Sequence, residues 1–189
     1  MSSLAQAIRS LIAISDQELD TFVGKCYRKS FPKKSLLSGS AKFIDEIYFI
    51  ESGLIRVMIS DPEGKEHSTH FAYENQFIAD YNAFLTGQKS FYQLQALEET
   101  HTVVLTREAI EWGYEELQEG QKLGRLIAEY YFIYLDNRIQ QLYSLSPKQR
   151  YDHLNHIFPN IHQRVPQHMI ASYLGISPVH LSRLKRAEG

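Results

Sequence analysis

The densest run of residues able to do chemistry lies between Gln167 and Arg186, where Ser177, Val179, His180, Ser182, Arg183, Lys185 and Arg186 are interleaved with apolar side chains. An arginine fork can bond both acceptors of a guanine edge, a valine can meet a thymine methyl, and hydroxyl, imidazole and ammonium groups can hold phosphate oxygens. Such a set suits the surface of double-stranded DNA if one helix presents it. The local signals supply that helix. Ala171 is small enough for two helices to cross closely, and Gly175, four residues on, can take the positive φ of a tight inter-helix turn. Ser177-Pro178 then offers an N-cap and a first helical residue. Ile170, Leu174, Ile176, Leu181 and Leu184 take the positions of a shared hairpin core, which leaves His180, Arg183 and Arg186 on the outer side.

Val179 and Arg183 are four apart and share a helix face. They are expected to look into the groove, with His180 beside them facing a base or a phosphate. Lys185, Ser182 and the backbone near Ser177 are the phosphate candidates. The bland alternative is a helical hairpin with a glycine turn and no nucleic-acid role, but it leaves the basic second helix without a purpose.

Other reactive groups are sparse. One cysteine, Cys26, cannot form an internal disulfide or by itself supply a thiolate metal centre. His67 and His70, three apart on an expected strand, should point to opposite faces and so fail to chelate one ion. No catalytic residue and no metal ligand set is expected.

Residues 147–189 carry six lysines and arginines against Asp152 and Glu188, together with five of the eight histidines, in a chain whose net charge is −2. The polyanion-binding end is therefore the C-terminal one. Arg9 interrupts the apolar N-terminal stretch, so no secretory signal is read there, and the run from Leu126 to Leu135 contains Glu129 and is too short for a bilayer. A cytoplasmic protein without a membrane partner is expected.

Several elements must position these groups. A helix over Leu4 to Ile12 is followed by one capped by Ser15, with Glu18 at the reciprocal position of a capping box. Short β-rich runs follow at Phe43–Ile50, Leu54–Ile59, Glu66–Phe71, Phe91–Leu97 and His101–Leu105, separated by turn signals at Ser52-Gly53, Asp61-Pro62-Glu63-Gly64 and Gly87. Thr106 caps a helix to Leu117. From Gln121 to Leu145 one helix carries two apolar sides: Leu123, Leu126, Tyr130, Ile133 and Asn137 on one, and Phe132, Leu135, Ile139 and Leu142 on the other. One side can cover the β module and the other a second copy of the chain, with Asn137 as a register-setting polar residue. Ser146-Pro147 opens a further helix that Phe158-Pro159-Asn160 ends. The fold class is α+β, divided as 1–118 sensor β-roll with flanking helices, 119–146 long dimerisation helix and 147–189 helix-turn-helix domain.

This order resembles the Crp/Fnr family of transcription regulators over nearly the whole chain, most specifically from Val165 to Arg186. Ile50-Glu51-Ser52-Gly53 and the hairpin Asp61 to Glu66 support it. The resemblance implies a homodimer on an inverted-repeat operator, RNA polymerase as a further partner, and an effector in the β-roll that moves the two recognition helices; the docking geometry is likewise what the resemblance implies. Relatives commonly add a β-hairpin wing, whereas this sequence ends three residues after Arg186, so no wing contacts are expected. Relatives that bind cyclic nucleotides grip ribose and phosphate with a Gly-Glu pair and an Arg-Ser-Ala run. Ala79-Asp80 and Lys89-Ser90-Phe91 stand there, so Asp80, Lys89 and Ser90 are the candidate effector residues. Lysine lacks the planar fork that matches phosphate, and Ala79 and Phe91 are bulkier than their counterparts. Cyclic AMP is expected to be a poor ligand, no cofactor is assigned, and ordinary hairpin surface is the competing reading. Two rival functions are a cupin-like metal enzyme, for which His67, His70 and His101 lack the usual His-X-His spacing, and a ligand-binding or protein-docking module that does not touch DNA.

Overall fold

The computed structural model describes residues 2–158 and 160–186; Pro159 and Glu188 of the sequence reading lie outside the described residues. Helix α1 (Ser3–Leu11) is capped by Ser2, and α2 (Asp16–Gly24) has the full Ser15–Glu18 capping box. Two antiparallel four-stranded sheets follow. One has the order β1 (Tyr27–Phe31), β8 (Thr100–Thr106), β3 (Glu46–Ser52), β6 (Phe77–Ile78), and the other β2 (Leu36–Ser38), β7 (Tyr92–Ala96), β4 (Ile55–Ser60), β5 (Glu66–Ala72). Helix α3 (Tyr81–Thr86) is inserted between β6 and β7. Facing residues Tyr48, Ile50, Ile55, Val57, Leu94 and Val104 fill the space between the sheets. Alternating inward side chains on both sheets are what close such a roll. Gly53 makes the β3–β4 turn at φ +104°, where an added Cβ would lie 2.7 Å from the Thr100 Cα.

Helix α4 (Arg107–Glu116) starts on the Thr106 cap, and α5 (Gly120–Ser144) then runs for 25 residues. Beyond its first turns the inner face is neither of the two expected apolar sides, and the side of Tyr130, Ile133 and Asn137, expected to carry the register-setting residue of a seam between copies, is exposed as the other side is. Leu123, Tyr131 and Arg138 are buried and Ile127 and Tyr134 partly so, whereas Tyr130, Ile133 and Asn137 are exposed. The helix is turned so that tyrosines and an arginine, which apolar counting passes over, meet the roll. Phe132, Leu135, Ile139 and Leu142 remain exposed on a separate face at three-four spacing.

Beyond α5 come α6 (Pro147–Ile157), a short α7 (Ile161–Arg164), α8 (Gln167–Leu174) and α9 (Pro178–Arg186). Ser146 and Gln149 form a second capping box. The C-terminal helices share one core with the roll, since Leu54, Phe71 and Leu97 cluster with Tyr151, Ile170, Tyr173 and Leu181. Burying Phe71-sized side chains on such a seam contributes about 1.5–3 kcal/mol each. Among the described residues no helix is long and apolar enough to cross a membrane.

Candidate nucleic-acid interface and effector cavity

Helices α8 and α9 meet through Gly175, which takes the left-handed conformation at φ 67° and ends α8 with its N–H on the α8 carbonyls. Only a glycine adopts that conformation at no steric cost, which fixes the sharp turn. Ala171 is fully buried at the crossing, and the Ser177 hydroxyl accepts from the His180 N–H at 3.2 Å, starting α9. Leu181 is buried and Ile176 and Leu184 pack against the same core. The opposite side of α9 is open. Val179 is 62% exposed, and Ser177, His180, Arg183 and Arg186 are exposed, while Ser182 and Lys185 are half-buried at the flank. Six of the seven sequence-derived candidates thus lie on the exposed side or flank of α9, and Ser177 lies just ahead of it. Arg183, Lys185 and Arg186 lie in its last turn.

Several contacts that the sequence did not signal fix this hairpin on the β-roll. The Ser68 N–H of β5 donates to the Ser172 hydroxyl at 2.9 Å. Arg164 forms two-pronged bonds to Glu74, at 2.7 and 3.0 Å, and also pairs with Glu98. Burial alone would raise the Glu74 carboxyl, but hydrogen bonds from Arg164 and from the Gly53 N–H outweigh it and hold it below the usual range. Arg150 donates to the carbonyls of Leu142, Leu145 and Leu174, tying the end of α5 to α8. No short-range pattern carries these pairings, because the partners are 66 and 90 residues apart for Arg164 alone.

The candidate effector residues separate. Asp80 caps α3 through the Ala83 N–H at 3.1 Å and accepts from the buried Ser90 hydroxyl at 2.6 Å, so these two are joined to each other. Lys89 is exposed and lies 5.8 Å from the Phe43 ring. A cavity of about 120 Å³ nevertheless lies between the roll and α5, next to Asp80. His70 lines it, stacked edge-on against Tyr134 at 4.1 Å between ring centroids. Burial, reinforced by the charge of Arg138, pushes the His70 imidazole down to about 3.

Strict alternation misplaced the two strand histidines. A bulge between Val57 and Met58 pairs His70 with Val57 and His67 with Ile59, positions of equal parity on β4, so both imidazoles belong to one side of the sheet. They keep separate partners: His67 bonds Asp61 at 2.8 Å at the hairpin tip. Among the described residues no three His, Cys, Asp or Glu side chains gather as a metal set. Burial raises the Cys26 thiol to about 11, which keeps it protonated.

A β-roll joined by a long helix to a helix-turn-helix hairpin is the two-module arrangement that these elements define. Comparison with known sequences agrees, as residues 28–116 match the cyclic nucleotide-binding domain. Two curated relatives are both described as cAMP-activated global transcriptional regulator CRP. The one from Salmonella typhimurium is 31% identical over 75 residues, covering 40% of this chain and 36% of the relative, and the one from Pasteurella multocida is 26% identical over 73 residues, covering 39% and 35%. The matched stretch thus spans about a third of the curated relatives' length. Among solved structures, FixK2 from Bradyrhizobium japonicum superposes with a TM-score of 0.75 at 12% identity, covering 86% of this chain and 83% of that one. The regulator CLP of Xanthomonas campestris gives 0.70 at 12% identity, covering 92% and 91%. Domain match, relatives and fold together support likeness to the Crp/Fnr family of regulators.

Proposed function

We propose that this chain is a homodimeric, sequence-specific DNA-binding transcription regulator of the cytoplasm, whose β-roll responds to a small effector. The observation that carries the reading is the open face of α9. Val179, His180 and Arg183 stand free of the hairpin core while Leu181 is fully buried beneath them. In the docking geometry of this motif such a face enters the major groove, with Lys185 and Ser182 at the phosphates. The described relatives are regulators rather than enzymes, and no catalytic activity is assigned.

The exposed row Phe132, Leu135, Ile139 and Leu142 has the spacing of a two-helix seam, and a second copy of the chain is the partner that it suits. A two-fold axis along α5 presents two recognition helices to an inverted repeat. RNA polymerase follows as a partner from the family resemblance. Selection of bound duplexes from a random pool tests this reading: recovery of an inverted repeat is expected, and a pool that stays unenriched after repeated rounds overturns it.

A further inference from the structure

We infer that the β-roll carries a docking surface for another protein, built from Phe43, Leu85 and Phe91 beside a groove along β2, and that its occupant is a linear segment pairing an apolar anchor with carboxylates. The inference does not depend on DNA recognition and uses none of the residues assigned to it.

Three stretches of chain bring the surface together. The Ser90 N–H donates to the Lys42 carbonyl at 2.8 Å, and the Ala41 N–H donates to the Ser90 carbonyl at 2.7 Å. The Ser90 hydroxyl is buried against Asp80, so Lys89 and Phe91 to either side of it turn outward, and the Lys89 Nζ lies 5.8 Å from the Phe43 ring. Arg107 closes the other flank by donating to the carbonyls of Ile44, at 3.0 Å, and Phe84, at 2.7 Å. Ile44 and Phe84 are buried, while their neighbours Phe43 and Leu85 stand in solvent. Phe43 is 63%, Leu85 60% and Phe91 72% exposed. Single exposed apolar side chains need no explanation, but large ones held side by side mark a binding surface.

Shape gives the anchor. Phe43 borders an open groove of about 440 Å³, whose apolar wall is completed by Leu36, Leu37 and Ile44. A concave apolar site beside protruding rings accepts one bulky side chain of a partner, the arrangement in which interfaces concentrate their binding energy. A bilayer has no such side chain to insert, and two lysines fall well short of the basic cluster that holds a protein on anionic lipid.

Charge gives the sign of the partner. Lys42 and Lys89 are exposed, and neither has an ion-pair partner among the described residues. The two carboxylates along the groove are already engaged. Asp45 accepts from Arg107 at 2.8 Å, and Glu46 accepts from the hydroxyls of Tyr48, at 2.7 Å, and Tyr27. The uncommitted charge at the rim is therefore positive, and aspartates or glutamates on the incoming segment complement it. A nucleic-acid strand is disfavoured, because its phosphates would run along Asp45 and Glu46.

Selection of short random peptides displayed on phage against the full chain tests the proposal, with fluorescence titration of the peptides that enrich. These should carry an aromatic or aliphatic anchor beside aspartates or glutamates, and should bind more weakly as salt is raised. Phe43→Ser combined with Phe91→Ser should weaken them by at least about tenfold. Lys42→Glu combined with Lys89→Glu should weaken them as well, which keeps the test decisive should the serine variant fail to fold. A pool that stays unenriched, or peptides that bind both variants as tightly as the parent, overturns the surface. Enrichment of lysine- and arginine-bearing peptides overturns the partner's charge. Co-sedimentation of the parent, but not of the serine variant, with phosphatidylserine vesicles overturns the choice of a protein over a lipid surface.

Discussion

The guanidinium of Arg138 on α5 lies 3.8 Å from the ring centroid of Tyr173 on α8 and donates to the Tyr173 carbonyl. Burial lowers the arginine's affinity for its proton, and no carboxylate is its salt-bridge partner among the described residues. A cation buried in this way is held by the carbonyl and the ring together, and it joins the long helix to the helix-turn-helix hairpin. Arg138→Met keeps the stem and removes the charge. The expected result is a loss of about 1–2 kcal/mol, the worth of a charge-assisted bond less the recovered desolvation. Chemical denaturation checks the magnitude.

His70 makes the protein acid-sensitive in a defined window. Its folded-state value of about 3 lies below the ordinary histidine value of about 6.5. The stability contributed by the neutral form is fully present above the unfolded value and is lost as pH falls from there toward the folded one. The slope approaches about 1.4 kcal/mol per pH unit. Melts at pH 7 and pH 5 should show this loss, and His70→Phe should flatten it.

A second acid limb comes from Glu74. Because Arg164 and the Gly53 N–H hold its carboxyl low, the latch is intact above the ordinary glutamate range and weakens as pH falls through the lowered value. Arg164→Ala should remove this limb and cost about 1 kcal/mol, as expected for a partly exposed network. The histidine limb begins above pH 5 and still runs below it, so the Glu74 limb is read as a difference. The change in α8 amide exchange on lowering pH from 5 to 3 should be larger in the parent than in Arg164→Ala.

The sequence foretold the caps at Ser15, Thr106 and Ser146 and the left-handed turn at Gly175, because each depends on neighbours within four residues. Strand β1 was missed for an equally local reason. Tyr27 to Ser30 are exposed, so the segment has no alternation to read. The two-residue β6 is too short to carry a pattern. The inner face of α5 was misread because Tyr131, Tyr134 and Arg138 are amphipathic and bury their bodies against the roll. Likewise, the exposure of Val179, His180, Arg183 and Arg186 on one side of α9 was legible from spacing, while the cavity walls and the Arg164 latch exist only once distant segments meet.

The seam on α5 yields a paired test. Ile139→Glu places a charge in the row of Phe132, Leu135 and Leu142, whereas Ile133→Glu places one on the flank beside Tyr130 and Asn137. Both isoleucines are more than half exposed, so neither change should unfold the chain. Light scattering at micromolar protein should give a dimer mass for the parent and for Ile133→Glu, and a monomer mass for Ile139→Glu. The reverse pattern would move the seam to the other flank.

The central claim, that the open face of α9 reads base sequence, is tested most directly by the ratio of affinities for a selected duplex and a scrambled one across several salt concentrations. The parent chain should prefer the selected duplex by at least about a thousandfold. Arg183→Ala should reduce that preference by about 1–3 kcal/mol at one base pair per half-site. Lys185→Ala should weaken both duplexes equally and flatten the salt dependence by about one unit of slope per subunit. Equal affinity of the parent chain for the two duplexes, or no affinity for either at low salt, would contradict the account.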